Sequence, residues 1–143
     1  MSSILLAPET RVLTKNGNKQ IQMLCDTWVK IWNGRNWSEV YVVKASDSCV
    51  FSKVIMDSGD SLLCSDKTQI AIKNKVGYFS DVFVCDLRPA DLVLPFSRPD
   101  FPADRITQVV KEVITTEGVC EAYTLREPKL RKVLVNNILA TTN

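Results

Sequence analysis

The chain contains no histidine. That absence excludes Ser-His-Asp and Cys-His catalysis and histidine-ligated zinc, and it removes the side chain best suited to proton transfer near neutral pH. The cysteines lack a pattern as well. Cys25, Cys49, Cys64, Cys85 and Cys120 are odd in number and never spaced C-x-x-C, so neither a disulfide framework nor a zinc site is indicated. They read as free, mostly buried thiols in a reducing, cytoplasmic setting. No apolar run approaches the length of a membrane span, and the opening MSSILLAPETR lacks the basic flank and long apolar core of a signal peptide. Neither sign of charge dominates: 18 Lys and Arg stand against 16 Asp and Glu. Nucleic acid and membrane are therefore not the expected partners, and nothing asks for a cofactor.

What is present suits one globular domain spanning 1–143, with 45% hydrophobic and 24% charged residues and enough chain to bury a core. Turn signals alternate with short β-rich runs almost from end to end. Asn16-Gly17 and Asn33-Gly34 sit between such runs and supply the positive φ that tight hairpins need. Ser58-Gly59-Asp60 and Glu117-Gly118 repeat the pattern. Val40, Val42 and Lys44 alternate with Tyr41 and Val43, as do Val109, Lys111 and Val113 with Val110, Glu112 and Ile114, which fits antiparallel strands. Only 21–27 and 80–87 have room for a helical turn or two. LPFSRPDFPADR (94–105) carries three prolines and reads as a surface loop, since proline donates no ladder hydrogen bond. The fold class is all-β, with many short strands.

Several groups invite a chemical reading and have a plainer one. Cys64 and Cys85 lie in strand-like runs and read as structural; Cys25 and Cys120 lie nearer turns, without a cationic neighbour to activate them. Arg126, Lys129, Arg131 and Lys132 fit a strand edge guarded by positive charge better than a phosphate site. Trp28, Trp32 and Trp37 flank a hairpin and suit packing better than base stacking. Asn143 could in principle attack its own carbonyl; its plain reading is a frayed polar terminus. The stretch SGDSLLCSDKTQIAI (58–72) places Cys64, Ser65, Asp66, Lys67 and Thr68 in a break between strands, where a catalytic group could sit, yet it offers no good acid or base near neutral pH.

Taken in order, these pieces resemble an intein, the self-splicing domain of the hedgehog/intein (Hint) fold. LLAPETRVLTKNG resembles the opening motif and VKIWNGRNWSEVYVVK the hairpin that follows. VIMDSGDSLLCSDKTQIAI is similar to the second motif, and CDLRPADLVLP to a later element with Ala90 where glycine is common. EAYTLREPKLRKVLVNNILATTN resembles the closing motif. Its EPK and NNIL bring it nearest to inteins of ribonucleotide reductase large subunits. The resemblance implies a horseshoe-like Hint fold of short antiparallel strands, flanking host-protein (extein) segments as partners, and a mini-intein in which 94–105 marks the usual endonuclease insertion point.

It also implies a damaged site. The initiating nucleophile matches Leu5; Ser2 and Ser3 lie out of register. The second-motif histidine matches Thr68 and its companion threonine Ser65. The closing motif's Asp or Cys falls on Thr124, and its histidine on Leu130 or Arg131. Asn143 is taken as the family's terminal Asn, with Thr142 in the place of the penultimate histidine; the stricter register puts Thr142 at the end instead. The expectation is an intein-like domain that no longer splices and at most cleaves slowly at Asn143. The alternative is a non-enzymatic interaction module on the same scaffold.

Overall fold

The computed structural model describes residues 4–142, and the strands below are numbered in chain order. The described residues form fourteen strands, most of them short: β1 (Arg11–Thr14), β2 (Gly17–Gln20), β3 (Trp28–Trp32), β4 (Trp37–Cys49), β5 (Ser52–Met56), β6 (Ser61–Cys64), β7 (Gln69–Lys73), β8 (Phe79–Phe83), β9 (Phe96–Arg98), β10 (Phe101–Ile106), β11 (Val110–Thr115), β12 (Cys120–Leu125), β13 (Lys132–Val135) and β14 (Ile138–Thr141). Two 3-10 turns, Ile21–Leu24 and Val84–Asp86, are the only helical pieces among the described residues, and both fall in the two segments singled out for them. The fold is all-β.

The large sheet runs β12-β4-β3-β1-β13-β14-β7-β8, with β2 on β1; β11-β5-β6 form a second sheet and β9-β10 a ribbon. Strand β4 shows how the sequence sets the register. Ser38, Val40 and Val42 are buried while Glu39 and Tyr41 face out, the two-residue period of a half-buried strand. The main core gathers Leu6, Val12, Ile31, Val42, Val54, Met56, Leu62, Ile70, Val133 and Ile138 from both sheets. A smaller cluster joins Trp32, Phe96, Leu134 and Leu139, and Trp32 meets Trp37 edge-on at 5.1 Å between ring centroids. Trp28 lies exposed against Tyr41 at 5.3 Å.

Three hairpins form where the turn residues place them: β1-β2, β3-β4 and β5-β6. Four other expectations need correction. Glu117-Gly118 does not close a hairpin, because β11 pairs with β5 and β12 with β4; the glycine serves a connection between sheets. In β11 a register shift between Val110 and Glu112 breaks the alternation, so buried Val110 is followed by half-buried Val113. Residues 94–105 are not a loop but largely the β9-β10 ribbon. Pro102 is tolerated there because a two-stranded ribbon leaves one edge of β10 without a ladder partner, and Phe96 anchors the ribbon in the smaller cluster. The basic residues at 126–131 are not on a strand edge either: they lie in the connection between β12 and β13, and β13 sits inside the sheet between β1 and β14.

The β13-β14 hairpin turns on Asn136 and Asn137, both with positive φ (49° and 63°). Their side chains bind outward. Asn136 Oδ1 accepts from Arg11 N at 2.7 Å and its Nδ2 donates to Ser61 O at 2.9 Å, while Asn137 Nδ2 donates to Asp60 Oδ2 at 2.9 Å. This turn thereby locks the large sheet to the β5-β6 hairpin.

Gly34 is the most constrained of the turn glycines. It holds φ +94°, and a Cβ there would lie 2.9 Å from Leu139 Cδ1. Gly59 has the same φ but open space around it. Gly34→Ala is therefore expected to cost about 3 kcal/mol, and Gly59→Ala only about 1 kcal/mol. Urea unfolding of the two variants measures the difference.

Candidate functional site

The site is assembled around the turn between β6 and β7. Ser65 and Thr68 are buried, and their hydroxyl oxygens stand 3.1 Å apart. The turn closes through Thr68 N donating to Ser65 O at 3.0 Å. It is docked from outside by the 84–86 turn, where Val84 N donates to Thr68 O at 2.8 Å and Cys85 N to Asp66 O at 3.1 Å. The Lys67 ammonium lies 5.1 Å from the Phe83 ring centroid. A polar break between two strands is thus held by the buried Ser65 and Thr68 and by the 84–86 turn, while Asp66 and Lys67 face solvent.

Leu5 enters this turn. Its amide N–H donates to Thr68 Oγ1 at 3.3 Å, and its carbonyl accepts from Ser65 N at 3.0 Å. The next residue, Leu6, exchanges both backbone hydrogen bonds with Tyr123 on β12, each 2.9 Å. Antiparallel register through that pair sets Thr124 across from Leu5. From the other end of the chain, Thr141 on β14 pairs with Gln69, the residue after Thr68. Leu5, Ser65, Thr68 and Thr124 are therefore gathered in one place, and the end of β14 lies beside them. Asn143 lies outside the described residues.

The groups around the end of β14 hold it closed. Thr141 Oγ1 donates to Asp81 Oδ1 at 2.7 Å and accepts from Lys132 Nζ at 2.9 Å; Lys132 also pairs with Asp81 at 3.2 Å. Thr142 N donates to Arg131 O at 2.8 Å, with Arg131 at φ 58°. Arg131 contributes its backbone here, with its side chain exposed, and Leu130 is also exposed.

Sequence reasoning did not single out Glu127 as a site residue, although it opens the EPK of the closing motif. Its side chain is fully buried. Oε1 accepts from Leu130 N at 2.6 Å and Lys132 N at 3.3 Å, and Oε2 from Lys129 N at 2.9 Å and Ser38 Oγ at 2.6 Å. Its own N–H donates to Thr142 Oγ1 at 3.0 Å. One carboxylate therefore shapes the whole 126–131 connection. Burial pushes its pKa up, but the Ser38 hydroxyl and the three backbone N–H groups more than offset that and leave it below the usual glutamate value. The missed signal was an acidic residue among four cations just before a strand.

The thiols divide differently from the sequence expectation of mostly buried cysteines. Only Cys64 is buried; Cys25 and Cys49 are half-buried, and Cys85 and Cys120 exposed. Cys85 is exposed because it falls in the 84–86 turn, where Val84 takes the inward position. Burial pushes the Cys64 thiol up to about 12, with a hydrogen bond to Thr68 opposing, so it is no thiolate at neutral pH. Among the described residues no group of three Cys, Asp or Glu is placed to hold a metal ion, and no helix is long and apolar enough to cross a membrane.

Comparison with known proteins agrees with this geometry. No family model matches the chain. Among curated proteins, the ribonucleoside-diphosphate reductase large subunit of Invertebrate iridescent virus 6 is 28% identical over 68% of this chain, which spans 12% of the viral protein. Among solved structures, a DnaB intein from Synechocystis sp. PCC 6803 superposes with a TM-score of 0.81 at 14% identity, covering 99% of both chains. The TvoVMA intein gives 0.77 at 14% identity over 96% of this chain and 97% of the other. The gp41-1 intein gives 0.73 at 16% identity over 99% and 100%. The chain has the Hint fold of inteins.

Glu127 offers a direct test of how the closing segment is held. Its carboxylate is stabilising above the ordinary glutamate pKa of about 4.3, and that contribution disappears as pH falls through the lower folded value. Glu127→Gln is expected to lose about 2 kcal/mol at pH 7. The gap from the parent protein should narrow toward pH 3, measured by urea unfolding across the range.

Proposed function

We propose that this chain is an intein-like domain, set in a host related to ribonucleotide reductase large subunits, that no longer carries out splicing. The observation that carries the reading is the contact of Leu5 N with Thr68 Oγ1 at 3.3 Å. If Leu5 is the first intein residue, that nitrogen belongs to the peptide bond that would be broken first.

Splicing would begin with a side-chain sulfur or oxygen at position 5 attacking the carbonyl of residue 4, forming an ester or thioester as the Leu5 nitrogen leaves and takes up a proton. The leucine side chain has neither atom, so the bond cannot form. Thr68 is mismatched to the second half of the step. Its hydroxyl accepts a hydrogen bond from the nitrogen that would need protonating, and an alcohol is a poor acid at neutral pH. Each missing acid, base or oxyanion donor costs roughly 10²–10⁴-fold in rate, and here they are missing together with the nucleophile. The flanking extein segments are the partners in this reading, 94–105 marks where related domains carry an insertion, and at most slow cleavage at Asn143 remains.

A second reading, an interaction module that holds two protein segments together, draws on a different observation. Leu5 and Thr141 are tied to adjacent residues, Thr68 at the end of the turn and Gln69 at the start of β7, so segments leaving the two ends would leave from neighbouring positions.

The test is a fusion with a distinct reporter at each end, followed by mass. The expected product is the intact fusion, while ligated reporters would refute the loss of splicing. A companion fusion with Leu5→Cys and Thr68→His is expected to release the upstream reporter with added thiol. No release from a folded variant would contradict the assignment of this turn as the former splice junction.

A further inference from the structure

We propose that Cys49 and Cys120 are the site of a reversible disulfide that fixes the strand carrying Tyr123 and Thr124. The inference does not depend on the splicing history of the chain, because it rests on the β4-β12 ladder alone.

The two cysteines are direct Cα partners in that antiparallel ladder, Cys49 at the last position of β4 and Cys120 at the first of β12. Residues paired this way carry their side chains on one face with Cα atoms about 4.5–5.5 Å apart, inside the roughly 4.4–6.8 Å span of disulfides. The surroundings agree. Cys49 packs against the cluster of Ala7, Phe51 and Ala122, and Ala7 and Phe51 also line the cavity that Cys120 borders. Each thiol donates only a long hydrogen bond to the carbonyl of the residue that follows it, Cys49 to Val50 O at 3.6 Å and Cys120 to Glu121 O at 3.3 Å. No other cysteine is ladder-paired with a cysteine: Cys25 is bridged to Val42, and Cys64 to Ser52 and Leu6.

The ladder has something to gain from a covalent tie. Its register shifts twice in a short span, between Cys120 and Ala122 and again between Ala122 and Tyr123. Those irregular pairs separate the cysteines from the Tyr123 backbone that holds Leu6. A bridge at the open end would pin β12 against sliding along β4.

The oxidant is a low-molecular-weight disulfide such as oxidised glutathione. Exposed Cys120, as thiolate, attacks one glutathione sulfur and releases the first glutathione thiolate. Half-buried Cys49, having given up its proton, then attacks the Cys120 sulfur and releases the second. Two protein thiols are oxidised to one disulfide, and one glutathione disulfide is reduced to two thiols.

The test incubates the full chain with oxidised glutathione, alkylates the remaining thiols, and maps the digest by mass. The expected result is a loss of about 2 Da, reversed by dithiothreitol, and one crosslinked peptide joining Cys49 to Cys120. In Cys49→Ser, glutathione should remain attached to Cys120. Amide exchange across residues 121–124 should slow several-fold in the oxidised protein. Five outcomes would overturn the proposal: both thiols alkylated after oxidation, a bridge to Cys25 or Cys85, a disulfide-linked dimer alone, loss of the adduct in Cys49→Ser, or a correct bridge with unchanged exchange.

Discussion

Residues 5–7 lie between two strands that belong to different sheets, and their backbone bonds to both. On one side Leu6 exchanges hydrogen bonds with Tyr123 of β12; on the other Leu5 and Ala7 are bonded to Ser65, Thr68 and Leu63 around the end of β6. Leu6 itself is completely buried. Buried backbone groups left without partners cost a kcal/mol or more each, so roughly 1–3 kcal/mol rides on every one of these bonds. This short segment therefore ties the two sheets together and adds the Leu5 bonds to those that hold the 65–68 turn.

On the proposed reading, that constraint explains why a scaffold for peptide rearrangement could outlast the rearrangement. The fold needs a backbone in the cleft and hydrogen-bonding side chains beneath it, and Ser65 and Thr68 satisfy each other and the Leu5 amide without an ionisable group. Catalysis in that reading would need more: a nucleophile at position 5 and a proton donor under the Leu5 nitrogen. Stability and chemistry thus draw on the same residues but ask different things of them. Glu127 belongs to the part that stability preserves, since its carboxylate organises the chain from 127 to 132 and its N–H holds Thr142.

Much of the fold was legible in the sequence, and the exceptions share a cause. Asn16-Gly17 and Asn33-Gly34 announced their hairpins because their turn chemistry is local. Asn136-Asn137 makes an equally tight hairpin without glycine; its positive φ values are held by long-range bonds to Arg11, Ser61 and Asp60, and these leave no local mark. Glu117-Gly118 has the local mark but joins strands whose partners lie elsewhere. The prolines of 94–105 ruled out a central strand, yet not a ribbon. The site followed the same rule. Ser65 and Thr68 stood out as polar residues between strands, and the resemblance pointed to Leu5 and Thr124. Burial of Glu127 and exposure of Cys85 depended on tertiary packing.

The most direct measurement of the central claim is the exchange rate of the Leu5 amide hydrogen. The account predicts strong protection in the parent protein and much faster exchange in Thr68→Val, which removes the accepting oxygen while keeping the side-chain volume. A Leu5 amide that exchanges as freely as an unfolded chain in the parent protein would contradict it.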